Sequence, residues 1–341
     1  MKNSKEITIY DVAKALNISP STVSRGLKNH PHVKKETRDK IKTAAREMGY
    51  RRNKFASNLR KKSTETIGVV VPRLNSYFMA AAIAGMEKVT NQLGYGLIIS
   101  QSQESASQEV SCVSTLFNSR VDGLLISLAY DTDNFDYFNT LSNKGIPVVF
   151  FDRVAECNDC MNIVIDNFRA GYEITKHLIE QGCRRIMHLG GNFLRNVYYD
   201  RFMGYRLALD EAGLEFEEIM LVINELNSQS GMDVARGILE MKSRPDGIFV
   251  ANDTTAVAVI CELQREGVRI PEDIAVAGFN NEPISQVIKP NLTTIDYPAR
   301  EIGEVAATSL INKLKNTENI GFSRVVLRHR LVIRESSLKK G

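Results

Sequence analysis

Apolar residues recur at helical spacing almost from the start of the chain, with Ile9, Val12, Ala13 and Leu16 forming one face. Thr8 stands just before this run and Asp11 three residues after it, the pattern of a capped helix start. The periodicity breaks at Asn17-Ile18 and restarts at Ser19-Pro20. Ser19 is placed to cap the second helix, and Pro20 takes its first position, where a missing N–H costs nothing. Val23 and Leu27 face inward from this helix, leaving Ser21, Thr22, Arg25 and Lys28 outside. A third helix is predicted over about 36–48, with Ile41, Ala44, Ala45 and Met48 inward and Gly49 as its stop. Two short helices joined by a tight turn predict a helix-turn-helix. The second opens on small polar residues that let it sink into a major groove, and an arginine follows one turn later.

From Thr66 the texture changes. Short apolar runs alternate with amphipathic helical stretches: 67–71, 97–100, 123–127, 147–151, 185–189, 247–251 and 274–279. Such alternation predicts parallel α/β sheets. An internal echo predicts two of them. Val121-Asp-Gly-Leu-Leu-Ile126 is matched by Pro245-Asp-Gly-Ile-Phe-Val250, and each copy then leads through a helix to a Pro-led strand, at Pro147 and Pro271. The copies end on Asp152 and Asn280. Polar residues just past strand carboxyl ends in two similar lobes would face each other across a cleft, where open α/β sheets bind ligands.

Charge sharpens this division. The 341-residue chain has a net charge of +4, yet residues 1–64 hold 17 Lys/Arg against 5 Asp/Glu, and the remainder 27 against 35. A basic head before an acidic body suggests that one end meets a polyanion, with Lys34, Lys35, Arg38 and Lys42 as phosphate contacts. Composition is that of an ordinary globular protein, 43% apolar and 25% charged. No apolar run is long enough for a membrane span, and the charged N-terminus has no signal-peptide core, so a cytoplasmic location is expected. Five scattered cysteines (112, 157, 160, 183 and 261) suggest reduced thiols, with the close pair Cys157-Asn-Asp-Cys160 read as a loop feature. The five histidines show no metal-ligand spacing. No phosphate loop, dinucleotide fingerprint or nucleophile elbow is found. No enzyme activity, metal or cofactor is therefore expected.

Thr8-Ile-Tyr-Asp-Val-Ala13, Ile18-Ser-Pro-Ser-Thr-Val-Ser-Arg25, Lys35-Glu-Thr-Arg38, Gly49-Tyr50 and Asn53-Lys-Phe-Ala-Ser-Asn-Leu-Arg60 together resemble the head of the lactose/galactose repressor (LacI/GalR) family. In weaker form the resemblance covers the whole chain. It implies an all-α DNA-binding head over 1–52, a hinge helix and linker over 53–64, and a two-lobed domain of the periplasmic-binding-protein type, with parallel sheets, over 65–341. Lobe one is expected at about 65–162 plus 293–327, and lobe two at about 163–292 plus 328–341.

By the same resemblance, DNA contacts fall to Thr8, Tyr10, Ser19, Pro20, Ser21, Thr22, Ser24, Arg25, Asn29, Lys34, Asn53, Ala56 and Leu59. Pro20, Ser21 and Arg25 take the base-reading positions, and Leu59 the apolar wedge that kinks the duplex at the centre of the operator. Effector contacts fall to Ser76, Phe78, Asp152, Arg201, Asn252 and Asn280. Carboxylate, guanidinium and amide groups suit a polyhydroxylated ligand, a carbohydrate or derivative. Two departures from the family pattern bear on that ligand: Asn280 stands where Asp is usual, and Leu226 stands where an aromatic platform is usual. The chain has no Trp at all. The implied protein is a nucleoid-associated homodimeric repressor that binds a palindromic double-stranded operator.

Overall fold

A computed structural model of the protein describes residues 7–50, 63–155, 160–315 and 324–339. Its contacts divide the chain into two units, Met1–Thr64 and Glu65–Gly341.

The first unit contains α1 (Ile9–Ala15), α2 (Pro20–Leu27) and α3 (Lys35–Glu47). Thr8 and Asp11 form a reciprocal capping box on α1. The Thr8 hydroxyl accepts the Asp11 N–H at 3.4 Å, and the Asp11 carboxylate accepts the Thr8 N–H at 2.8 Å. Ser19 caps α2 by accepting the Thr22 N–H at 3.1 Å, with Pro20 at its first position. Val12, Ala13, Val23, Val33, Ile41 and Ala45 close a small core among the three helices. Ala44 and Met48, expected inward, are only partly covered.

The second unit alternates strands and helices. In chain order these are β1 (Thr66–Val71), α4 (Tyr77–Leu93), β2 (Gly96–Gln101), α5 (Ala106–Asn118), β3 (Gly123–Ile126), α6 (Asp136–Asn143), β4 (Val148–Phe151) and β5 (Met161–Ile165). There follow α7 (Asn167–Glu180), β6 (Ile186–Gly190), α8 (Asn196–Glu211), β7 (Leu221–Ile223), α9 (Ser228–Glu240), β8 (Gly247–Val250), α10 (Asp253–Arg265), β9 (Ala275–Ala277) and α11 (Ile284–Val287). The chain ends through β10 (Thr294–Asp296), α12 (Ala299–Lys315), β11 (Arg324–Leu327) and β12 (Arg330–Val332).

One parallel sheet has the order β11-β5-β4-β3-β1-β2, and a second has β7-β6-β8-β9. Strands buried on both faces explain the continuous apolar runs. In the first sheet Ile67, Val69 and Val71 face α4 and α12, whereas Val70, Leu124 and Ile126 face the opposite layer. The second sheet is likewise covered by α7 and α8 on one side and by α9 and α10 on the other.

The crossings between lobes differ in detail from the sequence reading. A first crossing at about 162 falls inside β5, which pairs with β4 and β11. The chain therefore leaves the first sheet at Asp166, the N-cap of α7. Thr293 still bridges Ala277 in the second lobe. The return runs through β10, which pairs antiparallel with β12 as a narrow ribbon between lobes. The strand of the second echo begins at Ala275, four residues beyond Pro271, because 271–273 form a turn. The expectation of reduced thiols throughout also needs correction, since Cys160 is disulfide-bonded. Cys112, Cys183 and Cys261 are free.

Helices α4 and α12 cross with backbones nearly touching, at Gly85 and Gly303. A Cβ on Gly303 would fall inside van der Waals contact of the Ala82 carbonyl oxygen, and one on Gly85 inside that of the Arg300 carbonyl. Backbone cannot yield as a flexible side chain can, so Gly303→Ala is expected to destabilise the protein by about 1–3 kcal/mol. Urea denaturation checks this, and an unchanged midpoint would show that the helices slide apart freely.

Candidate DNA-binding head and interlobe cleft

The N-terminal half of α2 is built to meet a polar surface. Ser19 Oγ lies 2.8 Å from both Ser21 Oγ and Thr22 Oγ1, so the three hydroxyls form one cluster at the helix start. Ser21 is exposed, Pro20, Thr22 and Ser24 are half-buried, and Arg25 is exposed in the last turn. Asn29 follows α2 in the left-handed region (φ 59°). Lys34 is exposed at the N-cap of α3, Thr8 is exposed at that of α1, and Tyr10 on α1 is 70% exposed. Tyr10, Arg25 and Lys34 are open to solvent, whereas Thr8, Ser21 and Thr22 are engaged within the head and Lys40 is matched within its own helix by Glu36 at 2.9 Å. Asn53, Ala56 and Leu59 lie outside the described residues.

In the second unit, the carboxyl ends of strands from both sheets meet around a cavity of about 400 Å³. Ser76, Phe78, Asp152, Arg201, Asn252 and Asn280 all lie on its wall. Ser76 caps α4 by accepting the Met79 N–H. Phe78 is buried and packs on Tyr297 with ring centroids 4.5 Å apart, so it belongs to the core as well as to the cavity. Asp152 follows β4 with φ 61° and is buried. Its carboxylate accepts the Tyr297 hydroxyl at 3.0 Å and the Ser127 hydroxyl at 3.4 Å. Burial pushes its pKa up, opposed by the charges of Arg153 and Arg201.

Arg201, from α8, is 3% exposed. Its Nε donates to Asn167 Oδ1 and one terminal nitrogen to the Ala251 carbonyl, each at 2.9 Å. The guanidinium carbon sits 3.5 Å from the Phe279 ring centroid. Burial lowers its pKa, opposed by Tyr297 and Asp152. Asn252 is committed to the scaffold at both ends of its amide. Its oxygen caps α10 by accepting the Thr255 N–H, and its nitrogen donates to the Leu226 carbonyl at 2.7 Å. Asn280 sits at φ 108° and donates to Glu282 over a long 3.4 Å.

Several wall residues escaped the sequence reading. Arg153 donates to Glu104 at 2.6 Å and to the Tyr198 hydroxyl at 2.9 Å. Glu282 lies two residues beyond Asn280 and is itself buried. Their positions beside Asp152 and Asn280, just past strand ends, were the available signal. Behind Glu282, buried Asp253 accepts the Glu282 N–H and the Thr294 hydroxyl, each at 2.7 Å; burial pushes its pKa up to about 8.

One rim of the cleft is bridged by polar contacts between lobes. The Tyr130 hydroxyl donates to the Asn224 carbonyl at 2.7 Å and accepts the Asn192 N–H at 2.8 Å. Asn196 accepts the Val154 N–H at 3.0 Å and donates to the Asp152 carbonyl at 3.1 Å. Arg195 donates to the Thr132 carbonyl. Buried Glu109 holds this loop in place, accepting the Ala129 N–H at 2.6 Å and the Thr132 hydroxyl at 2.9 Å.

Comparison with known proteins agrees with both units. Residues 8–53 match the model of bacterial regulatory proteins of the lacI family, and residues 175–337 match the periplasmic binding protein-like domain. Catabolite control protein A of Priestia megaterium is 31% identical over 97% of this chain and 99% of its own length. The HTH-type transcriptional repressor PurR of Vibrio atlanticus is 30% identical over 97% and 98%. Among solved structures, a complex of the transcriptional regulator CelR with cellobiose matches with a TM-score of 0.73 and 27% identity, over 97% of this chain and all (100%) of that one. The lac repressor dimer bound to operator and the anti-inducer ONPF shares the fold, with a TM-score of 0.87 at 24% identity over 98% of this chain and 100% of that one. A capped helix-turn-helix ahead of two parallel-sheet lobes, with full-length likeness to such regulators, identifies this chain as a member of the LacI family, a DNA-binding transcriptional regulator.

Proposed function

We propose that the protein is a repressor that binds a palindromic operator as a homodimer, released or recruited by a small polar effector in the interlobe cavity. The effector is a carbohydrate or a close derivative. The observation that carries this reading is the meeting of buried Asp152 and Arg201, from different lobes, on the wall of one cavity. A guanidinium presents a fork of donors and a carboxylate only acceptors, which suits vicinal hydroxyls. A ligand held between lobes has differential affinity for their arrangements, and by linkage the operator alters ligand affinity to the same degree.

A single head makes few base contacts, so two-fold pairing on a palindrome is needed for specificity. Lobe one offers the surface for it. Strand β2 lies at the edge of its sheet, with Ile98 39% and Ile99 41% exposed, and Leu93 of α4 is 41% exposed. An apolar edge strand of this kind calls for a cover, and a second copy supplies one. The hinge and the wedge at Leu59 rest on the sequence resemblance. The same reading places the protein in the cytoplasm, on the nucleoid; among the described residues no helix is long and apolar enough to cross a membrane.

Selection of the full chain on random duplexes tests the proposal. Enrichment of a palindrome, with retention falling steeply as salt rises because phosphate neutralisation releases counterions, is the expected result. A protein that is monomeric at micromolar concentration and indifferent to sequence would overturn it.

A further inference from the structure

We propose that the effector carries a cationic nitrogen, as an amino sugar or aminated polyol does, and that Glu282 receives it on the second-lobe wall of the cavity. This rests on the cleft reading above and specifies its ligand.

The argument begins with how charges on the cavity wall are matched. At the first-lobe end, Arg153 and Arg73 share Glu104, at 2.6 Å and 3.5 Å. Arg153 is otherwise satisfied by the Tyr198 hydroxyl. In the middle, Asp152 and Arg201 offset one another electrostatically. On the second-lobe wall, beyond opposite edge strands, stand exposed Glu225 and buried Glu282, and among the described residues neither has a cation within ion-pair distance. Glu225 accepts one amide N–H, from Asn227 at 3.1 Å. Glu282 is 8% exposed and accepts the Thr254 hydroxyl at 2.9 Å and the long contact from Asn280.

An ionised carboxylate can accept about four hydrogen bonds, so Glu282 retains acceptor capacity on a wall of the cavity. Its backbone is anchored from behind, the Glu282 N–H donating to the Asp253 carboxyl. Burial holds the Glu282 pKa above the usual carboxylate range, as expected of an acid that lacks a countercharge. A sugar hydroxyl placed there supplies a neutral hydrogen bond. An ammonium supplies a charge-assisted one and the missing counterion together. Leu226, 7% exposed, contributes no aromatic face to the second-lobe wall.

Calorimetric titration of the full chain tests this with glucosamine, galactosamine and mannosamine. Each is compared with its parent hexose and its N-acetyl derivative, which keeps the nitrogen but removes the charge. The expected result is that at least one free amine binds about tenfold or more tighter than both of its neutral counterparts, since one charge-assisted contact is worth at least that factor. Glu282→Gln should erase the preference. Circular dichroism verifies folding; where Glu282→Gln fails to fold, Glu282→Asp, which keeps the charge but draws it back by one methylene, decides by a weakened amine preference. Equal binding of amines and N-acetyl sugars overturns the inference, as does a preference that survives in folded Glu282→Gln, or silence from every amine. A neutral hexose that binds as well as its amine overturns the cationic ligand while sustaining the cleft as an effector site. Operator selection judges the wider reading separately.

Discussion

Replacing Arg25 with alanine is expected to cost about 1–3 kcal/mol of operator affinity per half-site, hence about 2–6 kcal/mol for a two-fold complex, and to relax base preference at one position in each half-site. The reason lies in what else α2 offers. Pro20 has no N–H and presents only van der Waals surface. The Ser21 and Thr22 hydroxyls are already engaged with Ser19 at 2.8 Å, so each has less to give a base edge. Arg25 is exposed, stands one turn further on, and is the strongest donor on that face. Its guanidinium can bond bidentately to the O6 and N7 of guanine, which lysine cannot reproduce. Arg25→Lys should therefore keep much of the salt-dependent affinity and lose selectivity. Selection on randomised half-sites measures both, and a variant whose base preferences match the parent's would remove Arg25 from the reading surface.

A second large effect is expected at Arg201. Alanine there strips the donors from Asn167 and the Ala251 carbonyl and leaves Arg153 alone to offset the buried Asp152 carboxylate. Each buried acceptor left unsatisfied costs about 1–3 kcal/mol, so Arg201→Ala, which orphans two, should be clearly destabilised in denaturant. Arg201→Lys separates stability from recognition. It keeps the charge but cannot serve Asn167, the Ala251 carbonyl and a ligand oxygen together, so effector affinity should fall at least about tenfold, the worth of one hydrogen bond to a charged group. Release of operator by effector, followed by fluorescence anisotropy, is the readout. A full response in Arg201→Lys would mean that the ligand does not engage this guanidinium.

The parts legible in the sequence were those set by local chemistry. The caps at Thr8 and Ser19 are each decided within four residues, and both are present in atomic detail. The apolar runs of the inner strands β1, β3, β4 and β8 could be read because burial on both faces leaves no polar position to blur them. Strands that depend on distant partners could not. Met161–Ile165 carries Asn162 in its middle, and the three-residue β10 and β12 exist only because each pairs with the other. The same division runs through the cleft. Asp152, Arg201 and Asn280 stood out by their place beyond strands or within a motif. The pairing of Arg153 with Glu104 joins residues 49 apart, and no spacing rule connects them. Asn252 shows the reverse case, since its helix-capping potential was visible and the structure uses both ends of its amide for the scaffold.

The polar stitching along the rim, from Tyr130, Arg195 and Asn196, has a kinetic consequence. Each such hydrogen bond contributes only about 0.5–1.5 kcal/mol net, because water replaces it when the lobes part. Opening is then an uphill excursion on the microsecond-to-millisecond scale of domain hinges, and a molecule between the lobes enters or leaves only during it. Exchange is paced by the protein rather than by diffusion. Only a ligand pulse shorter than the opening time is thereby averaged.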